Sequence, residues 1–242
     1  MGQHGKHRPL VRAAACIACL WAAPVDACRL ALVLALDVSS SVDDGEDRLQ
    51  RDGLAAALIA PDVQAAFLSS PDPVAVFVFE WSGRHNQLGL TDWVMIEGPA
   101  DLLHLSERIA QSTRSNDDFP TAMGYALGHA AVRMRDAPNC RARTIDVSGD
   151  GKNNEGFGPQ LAYGAFDFAE VTVNGLVITG AGQTPSTELV GYFRDEVIRG
   201  PGAFVEVAAG FADYERAMRR KLIREVSAQM VGGTRAVAPP QG

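Results

Sequence analysis

The sequence is poor in the residues that most often build catalytic and metal centres. It has 5 histidines and 4 cysteines in 242 residues, and no His/Cys cluster with the full spacing of a zinc site appears, the lone C-x-x-C pair being Cys16 and Cys19 near the N-terminus. No G-x-S-x-G elbow and no glycine-rich phosphate loop occurs, which removes the usual signatures of serine hydrolases and nucleotide enzymes. Basic residues are also scarce, 22 Lys and Arg against 29 Asp and Glu. Nucleic-acid binding depends on counterion release by clustered cations, so this balance argues against it. The longest leader-like apolar run, residues 13–23, falls short of the roughly 20 residues a spanning helix needs. There is no internal repeat, no heptad pattern and no long linker.

What remains is a chain that is 47% hydrophobic and 21% charged, enough for one sizeable core. Lys6, Arg8 and Arg12 precede the apolar run and Val25-Asp26-Ala27 follows it, so residues 1–27 are expected to be a secretory signal. Its removal takes three basic residues and one acidic residue, moving the formal net charge from −7 to −9. Localisation is then periplasmic or secreted. Cys16 and Cys19 leave with the signal, and Cys28 and Cys140 remain as an even pair, a candidate disulfide in an oxidising compartment. The competing reading is acylation of Cys28, against which Asp26 stands two places upstream.

Apolar strand-like runs alternate with helical patterns: 30–37, then a helix over 44–59, then 74–81. Asp43 and Glu46 give a capping-box start to that helix, and Pro61 with Ser69-Ser70-Pro71-Asp72-Pro73 punctuates the passage into the second strand. Further elements are expected at 87–95 (antiparallel edge strand), 99–112 and 122–135 (helices), 144–148 and 171–178 (strands) and 202–207 (a last short strand). The pattern is that of β-α-β units, hence an α/β fold with a doubly wound, mostly parallel sheet and helices on both faces. One domain is expected over 28–231, with a Gly-, Ala- and Pro-rich mobile tail over 232–242. A terminal helix presents the stripe Phe211, Tyr214, Met218, Leu222 and Val226, leaving Arg216, Arg219, Arg220, Lys221 and Arg224 as an expected solvated face.

The strand tips carry the chemistry. D-V-S-S-S at Asp37, Ser39 and Ser41 ends the first apolar strand, and T-I-D-V-S-G-D-G, residues 144–151, ends a later one at Asp150. In open α/β sheets ligands gather beyond the carboxyl ends of the strands, where these residues fall. A carboxylate and two hydroxyls on alternate positions are hard oxygen donors suited to one small divalent cation. Thr121, opening T-A-M-G-Y-A-L, is the third segment of the pattern. Taken singly, the serines are equally explained as helix caps and Asp150-Gly151 as a turn.

With these three segments the sequence resembles the von Willebrand factor A-like domain, whose metal-ion-dependent adhesion site reads D-x-S-x-S, then Thr, then Asp. More narrowly it resembles an uncharacterised family of exported bacterial proteins in which D-V-S-S-S-V-D and I-D-V-S-G-D-G recur. The resemblance implies that Ser39, Ser41 and Thr121 give oxygens to Mg²⁺ or Mn²⁺, with Asp37 and Asp150 acting directly or through water. It also implies an open position for an acidic side chain of a partner protein, and parallel neighbouring strands above Cys28 and Cys140. Pro120 stands where that pattern commonly has Gly. The function so implied is non-enzymatic, cation-dependent protein binding. Two alternatives stand beside it: a metal-dependent hydrolase, since Asp37 with Gly149-Asp150 also resembles the haloacid-dehalogenase-type phosphatases, and a structural or assembly factor whose site is unused. The first lacks an acid two residues after Asp37, where Ser39 stands.

Several other polar residues leave more than one reading open. Asp146 sits inside a buried strand and needs a partner, for which Arg143 or a backbone amide is the expectation. Glu80 is either a rim residue or one that orients metal waters. Asn153, Asn154 and Glu155 either line the approach to the metal or form an ordinary solvated loop.

Overall fold

The computed structural model describes residues 1–2, 28–180 and 187–231, with side chains through 227. The expected signal and the tail from 232 lie outside the described residues, apart from Met1 and Gly2. The elements in chain order are β1 (Cys28–Asp37), α1 (Asp44–Ile59), α2 (Pro61–Phe67), β2 (Val74–Trp81), β3 (Gln87–Gly89), β4 (Val94–Ile96), α3 (Pro99–Ala110), α4 (Met123–Arg135), β5 (Cys140–Gly149), α5 (Pro159–Ala165), β6 (Val171–Ile178), α6 (Thr187–Tyr192), β7 (Val205–Ala208) and α7 (Tyr214–Val231). The seven strands form one sheet in the order β3-β2-β1-β5-β6-β7, with β4 also paired to β2. β1, β2, β5, β6 and β7 run parallel, and β3 and β4 run antiparallel to β2 at the edge.

Every residue of β1 and β2 is buried, as expected of parallel strands covered on both faces. Alternation divides their side chains between two cores. Leu30, Leu32, Leu34, Val74, Val76 and Val78 pack under α1, α3 and α7, whereas Ala31, Val33, Phe77 and Phe79 pack under α4 and α5. The chain leaves β1 toward β2 on one side and reaches β5 on the other, so the strand order reverses between β1 and β5. That is where a crevice opens above the strand ends.

Helix α1 starts as the sequence predicts. Asp43 Oδ1 accepts from Glu46 N at 2.8 Å and Glu46 Oε2 accepts from Asp43 N at 3.0 Å, a complete capping box. Ser39 and Ser41 are therefore not its caps. The single edge strand expected over 87–95 is two short strands separated by a turn. Residue 61, expected to break structure, is instead the first residue of α2, where proline lacks only an amide the helix would leave unpaired.

The sharpest correction concerns Lys221. Instead of lying on a solvated face it is fully buried beneath α7. Its Nζ donates to Glu225 Oε1 at 2.6 Å and lies 2.8 Å from Asp146 Oδ1 without good hydrogen-bond geometry. Asn174 Nδ2 donates to the same Glu225 oxygen at 2.8 Å. Asp146 is thus partnered from α7 and not by Arg143, and burial, opposed by the nearby Lys221, pushes its carboxyl up to about 7. The other basic residues of the run behave as expected: Arg216, Arg219 and Arg220 pair at the surface with Asp213, Asp62 and Glu206.

Cys28 and Cys140 face each other in the parallel register of β1 and β5, 4.5 Å apart between Cα atoms, and are joined in a disulfide. The Cys28 sulfur is thus engaged with Cys140 in this structure, as the disulfide reading expects. The bond spans a sequence separation of 112 residues. On the chain-entropy model such a loop contributes about 5 kcal/mol by restricting the unfolded chain. Reduction is accordingly expected to lower the free energy of unfolding by up to about 5 kcal/mol. Denaturant titrations with and without reductant measure it; coincident midpoints would refute it.

Candidate metal centre

The five residues picked out by sequence meet at the crevice between β1 and β5. Asp37 is the last residue of β1, wholly buried, and its Oδ1 accepts from Ser39 N at 2.8 Å. This bond folds the chain back after the strand and brings the serine hydroxyls over the strand end. Ser39 Oγ and Ser41 Oγ are 3.2 Å apart, and Thr121 Oγ1 donates to Ser39 Oγ at 3.2 Å. Ser41 Oγ donates to Asp150 Oδ1 at 2.7 Å. Three hydroxyls and two carboxylates from three distant segments form one hydrogen-bonded cluster.

The electrostatics of this cluster are unbalanced. Burial pushes the Asp37 carboxyl up to about 7, with the negative charge of Asp150 adding to it, against hydrogen bonding to Ser39 and the charge of Arg114. Asp150 is also raised by burial, opposed by its bond to Ser41. Asp37 Oδ2 is buried and has no hydrogen-bond partner among the described residues. An orphaned carboxylate oxygen on a residue bonded into a hydroxyl cluster suits a small hard cation, which would offset the cost of burying the charge. No three His, Cys, Asp or Glu side chains cluster as a metal site among the described residues, so the hydroxyls are essential to the donor set. An all-oxygen set of this kind favours Mg²⁺ or Mn²⁺ over softer metals. Glycine leaves the space: a Cβ on Gly149 would stand 3.1 Å from Asp37 Oδ2.

Neighbouring segments hold the cluster in place. Asn154 Oδ1 accepts from Thr121 N at 2.8 Å, and Asn154 N donates to Thr121 O at 2.9 Å, so the loop after β5 fixes the threonine despite Pro120 before it. Asn153 Oδ1 accepts from Gly124 N at 3.2 Å. Asn153 and Asn154 therefore brace the site from behind, and neither is merely solvated.

Arg114 escaped notice in the sequence. Its Nη2 donates to Val38 O at 3.0 Å and Ser39 O at 2.8 Å, clamping the turn that carries the serines. Nothing in its local sequence marks it, because both acceptors are backbone carbonyls some 75 residues away in sequence.

Glu80 is not part of the hydroxyl and carboxylate cluster. It is fully buried, with Oε2 accepting from Arg51 Nη2 at 2.5 Å and Oε1 from Ser115 N at 2.8 Å. Arg51 Nε in turn donates to both oxygens of Asp47, at 2.9 and 3.0 Å. Glu80 thus anchors the segment next to Arg114.

Comparison with known proteins bears on the fold. None of the curated proteins compared is similar in sequence. Solved structures match in fold: proximal thread matrix protein 1 from the mussel byssus with a zinc-occupied MIDAS motif (15% identity, TM-score 0.60, covering 84% of this chain and 49% of that one). BatB from Bacteroides thetaiotaomicron matches at 16% identity and TM-score 0.59, over 84% of this chain and 100% of that one. A von Willebrand factor type A protein from Catenulispora acidiphila matches at 17% and 0.54, over 84% and 43%. The chain spans about half the length of the mussel protein. A family model described as "Protein of unknown function (DUF1194)" matches residues 27–230. The chain therefore belongs to that family, and its fold is of the von Willebrand factor A type.

Proposed function

We propose that this protein is an exported, non-enzymatic binding domain that recognises an acidic side chain of a partner protein through Mg²⁺ or Mn²⁺ held by Asp37, Ser39, Ser41, Thr121 and Asp150. The observation that carries the reading is the convergence of three hydroxyls and two strand-tip carboxylates, one of which, Asp37, keeps an orphaned buried oxygen. When bound, the cation supplies a Lewis-acidic centre able to take a carboxylate from outside. The chain's part is to hold the hydroxyls and to keep the number of its own charges low. The disulfide supports an oxidising compartment, periplasm or medium. No helix among the described residues is long and apolar enough to cross a membrane.

A phosphatase of the haloacid-dehalogenase type needs an acid where this chain has Ser39, and Ser39 Oγ is bonded within the hydroxyl cluster. The test is paired. Immobilised protein is incubated with envelope extract in magnesium or in chelator, and turnover of a phosphate ester is measured alongside. Capture is expected to need the cation and to vanish in Ser39→Ala, Thr121→Ala and Ser39→Asp, the last because an added charge quenches the cation's attraction for an outside carboxylate. Turnover that rises in Ser39→Asp, without cation-dependent capture in either protein, would overturn the reading.

A further inference from the structure

Away from the metal centre, a cavity of about 320 Å³ opens at the β3 edge of the sheet, between the turn after β3 and the C-terminal half of α4. Phe77, Thr91, Asp92, Arg108, His129 and Arg133 line it. His129 and Arg133 lie six and ten residues beyond the start of α4, about 9 and 15 Å along its axis, so the cavity is separate from the metal centre.

Its walls hold unsatisfied nitrogens: His129 Nε2 and Arg133 Nε are buried without a hydrogen-bond partner among the described residues. The indole Nε1 of Trp93, a residue next to the cavity and not in its lining, is likewise unpartnered. The Trp93 ring lies 5.7 Å from that of Phe77 between centroids. The guanidinium of Arg133 stacks 4.9 Å above the Phe77 ring and has only a peripheral ion pair, Nη1 to Asp136 Oδ2 at 3.5 Å. Arg108 reaches in from α3, held by Leu90 O at 3.2 Å. Burial and the neighbouring Arg133 lower the pKa of His129, which keeps the imidazole neutral near pH 7. The lining carries two guanidiniums against the single carboxylate of Asp92, with Gly89, Thr91 and Phe77 completing it.

A buried guanidinium N–H without a partner calls for an acceptor, and guanidinium geometry matches a planar carboxylate. Phe77, 2% exposed beneath the Arg133 guanidinium, closes the floor of the cavity, and Asp92 disfavours a dianion. We propose that this cavity binds a small organic monocarboxylate, its carboxylate on Arg133 and Arg108. The volume lies at the lower end of the range for small-molecule sites.

The test uses the full chain in chelator, which removes carboxylate binding through a metal, with sodium benzoate as probe and inorganic phosphate as comparison. The Trp93 indole and His129 ring resonances are followed by NMR. Benzoate is expected to shift both in a saturable manner. Arg133→Gln is expected to weaken binding by about tenfold or more, the loss of one charge-assisted contact. Arg108→Gln, at an exposed position that leaves the fold intact, is expected to weaken it in the same direction. Absence of benzoate shifts, unchanged affinity in both variants, or binding of phosphate in preference to benzoate would each overturn the assignment.

Discussion

Asp37→Ala is expected to abolish Mg²⁺ and Mn²⁺ binding in calorimetry and to leave the metal-free protein at least as stable as wild type at about pH 8. The first half follows from the position of Asp37 beneath the hydroxyl cluster. The second follows from its raised pKa. The folded protein holds this proton more tightly than the unfolded chain, whose carboxyl titrates at the ordinary 3.8, because burial and Asp150 disfavour the ionised form. The stabilisation linked to that proton is complete below the unfolded value and is lost as pH rises through about 7. Wild-type metal-free protein should therefore lose stability across that window, and Asp37→Ala should lose less. Metal affinity runs the opposite way, weakening as pH falls below about 7, where the proton competes for Asp37. Equal heats of metal binding for wild type and variant would refute the site, and identical pH profiles of stability would refute the electrostatic account.

Arg51→Met is expected to destabilise the fold by about 3–5 kcal/mol, the usual cost of leaving buried charges without their partner. Arg51 has no solvent exposure and pairs with Glu80, also unexposed, and with Asp47. Replacing Arg51, Glu80 and Asp47 together by apolar residues should recover much of that loss, because no stranded charge remains. Chemical denaturation measures both, and an unchanged midpoint in Arg51→Met would show that Glu80 is satisfied without it. The metal stoichiometry should stay at its wild-type value, since Glu80 braces the loop bearing Arg114 and contributes no oxygen to the cluster.

Much of this architecture is visible in the sequence because local and global signals coincide. β2 and β6 appear within their expected limits, each a continuous apolar run bounded by polar turns. Helix α1 is marked at its start by Asp43 and Glu46. The convergence of the five candidate residues is legible in part: Asp37 and Asp150 stand at strand ends, whereas Thr121 is held by Asn154 and the serine turn by Arg114, partners that only tertiary folding supplies. Lys221 was not legible. It lies beside Leu222 and Met218 on the helix, and only a view of Asp146, on a strand 75 positions earlier, shows that the buried face of α7 needs a cation there. Arg114 and Arg51 were hidden for the same reason, since their partners are set by tertiary folding. Helix α2 was missed because its seven residues are too few to show a period.

The registered pair of half-cystines has a mechanical side. Cys28 is the first residue of β1 and Asp37 the last, and β1 is flanked along its length by parallel β2 and β5. A pull between residue 28 and a partner seated at the strand tip loads β1 along its axis, so both flanking ladders resist in shear and must yield together. At the foot of the strand the covalent link to Cys140 passes part of the tension directly into β5. The strand that presents Asp37 is thus held by two shear-loaded ladders and one covalent tie.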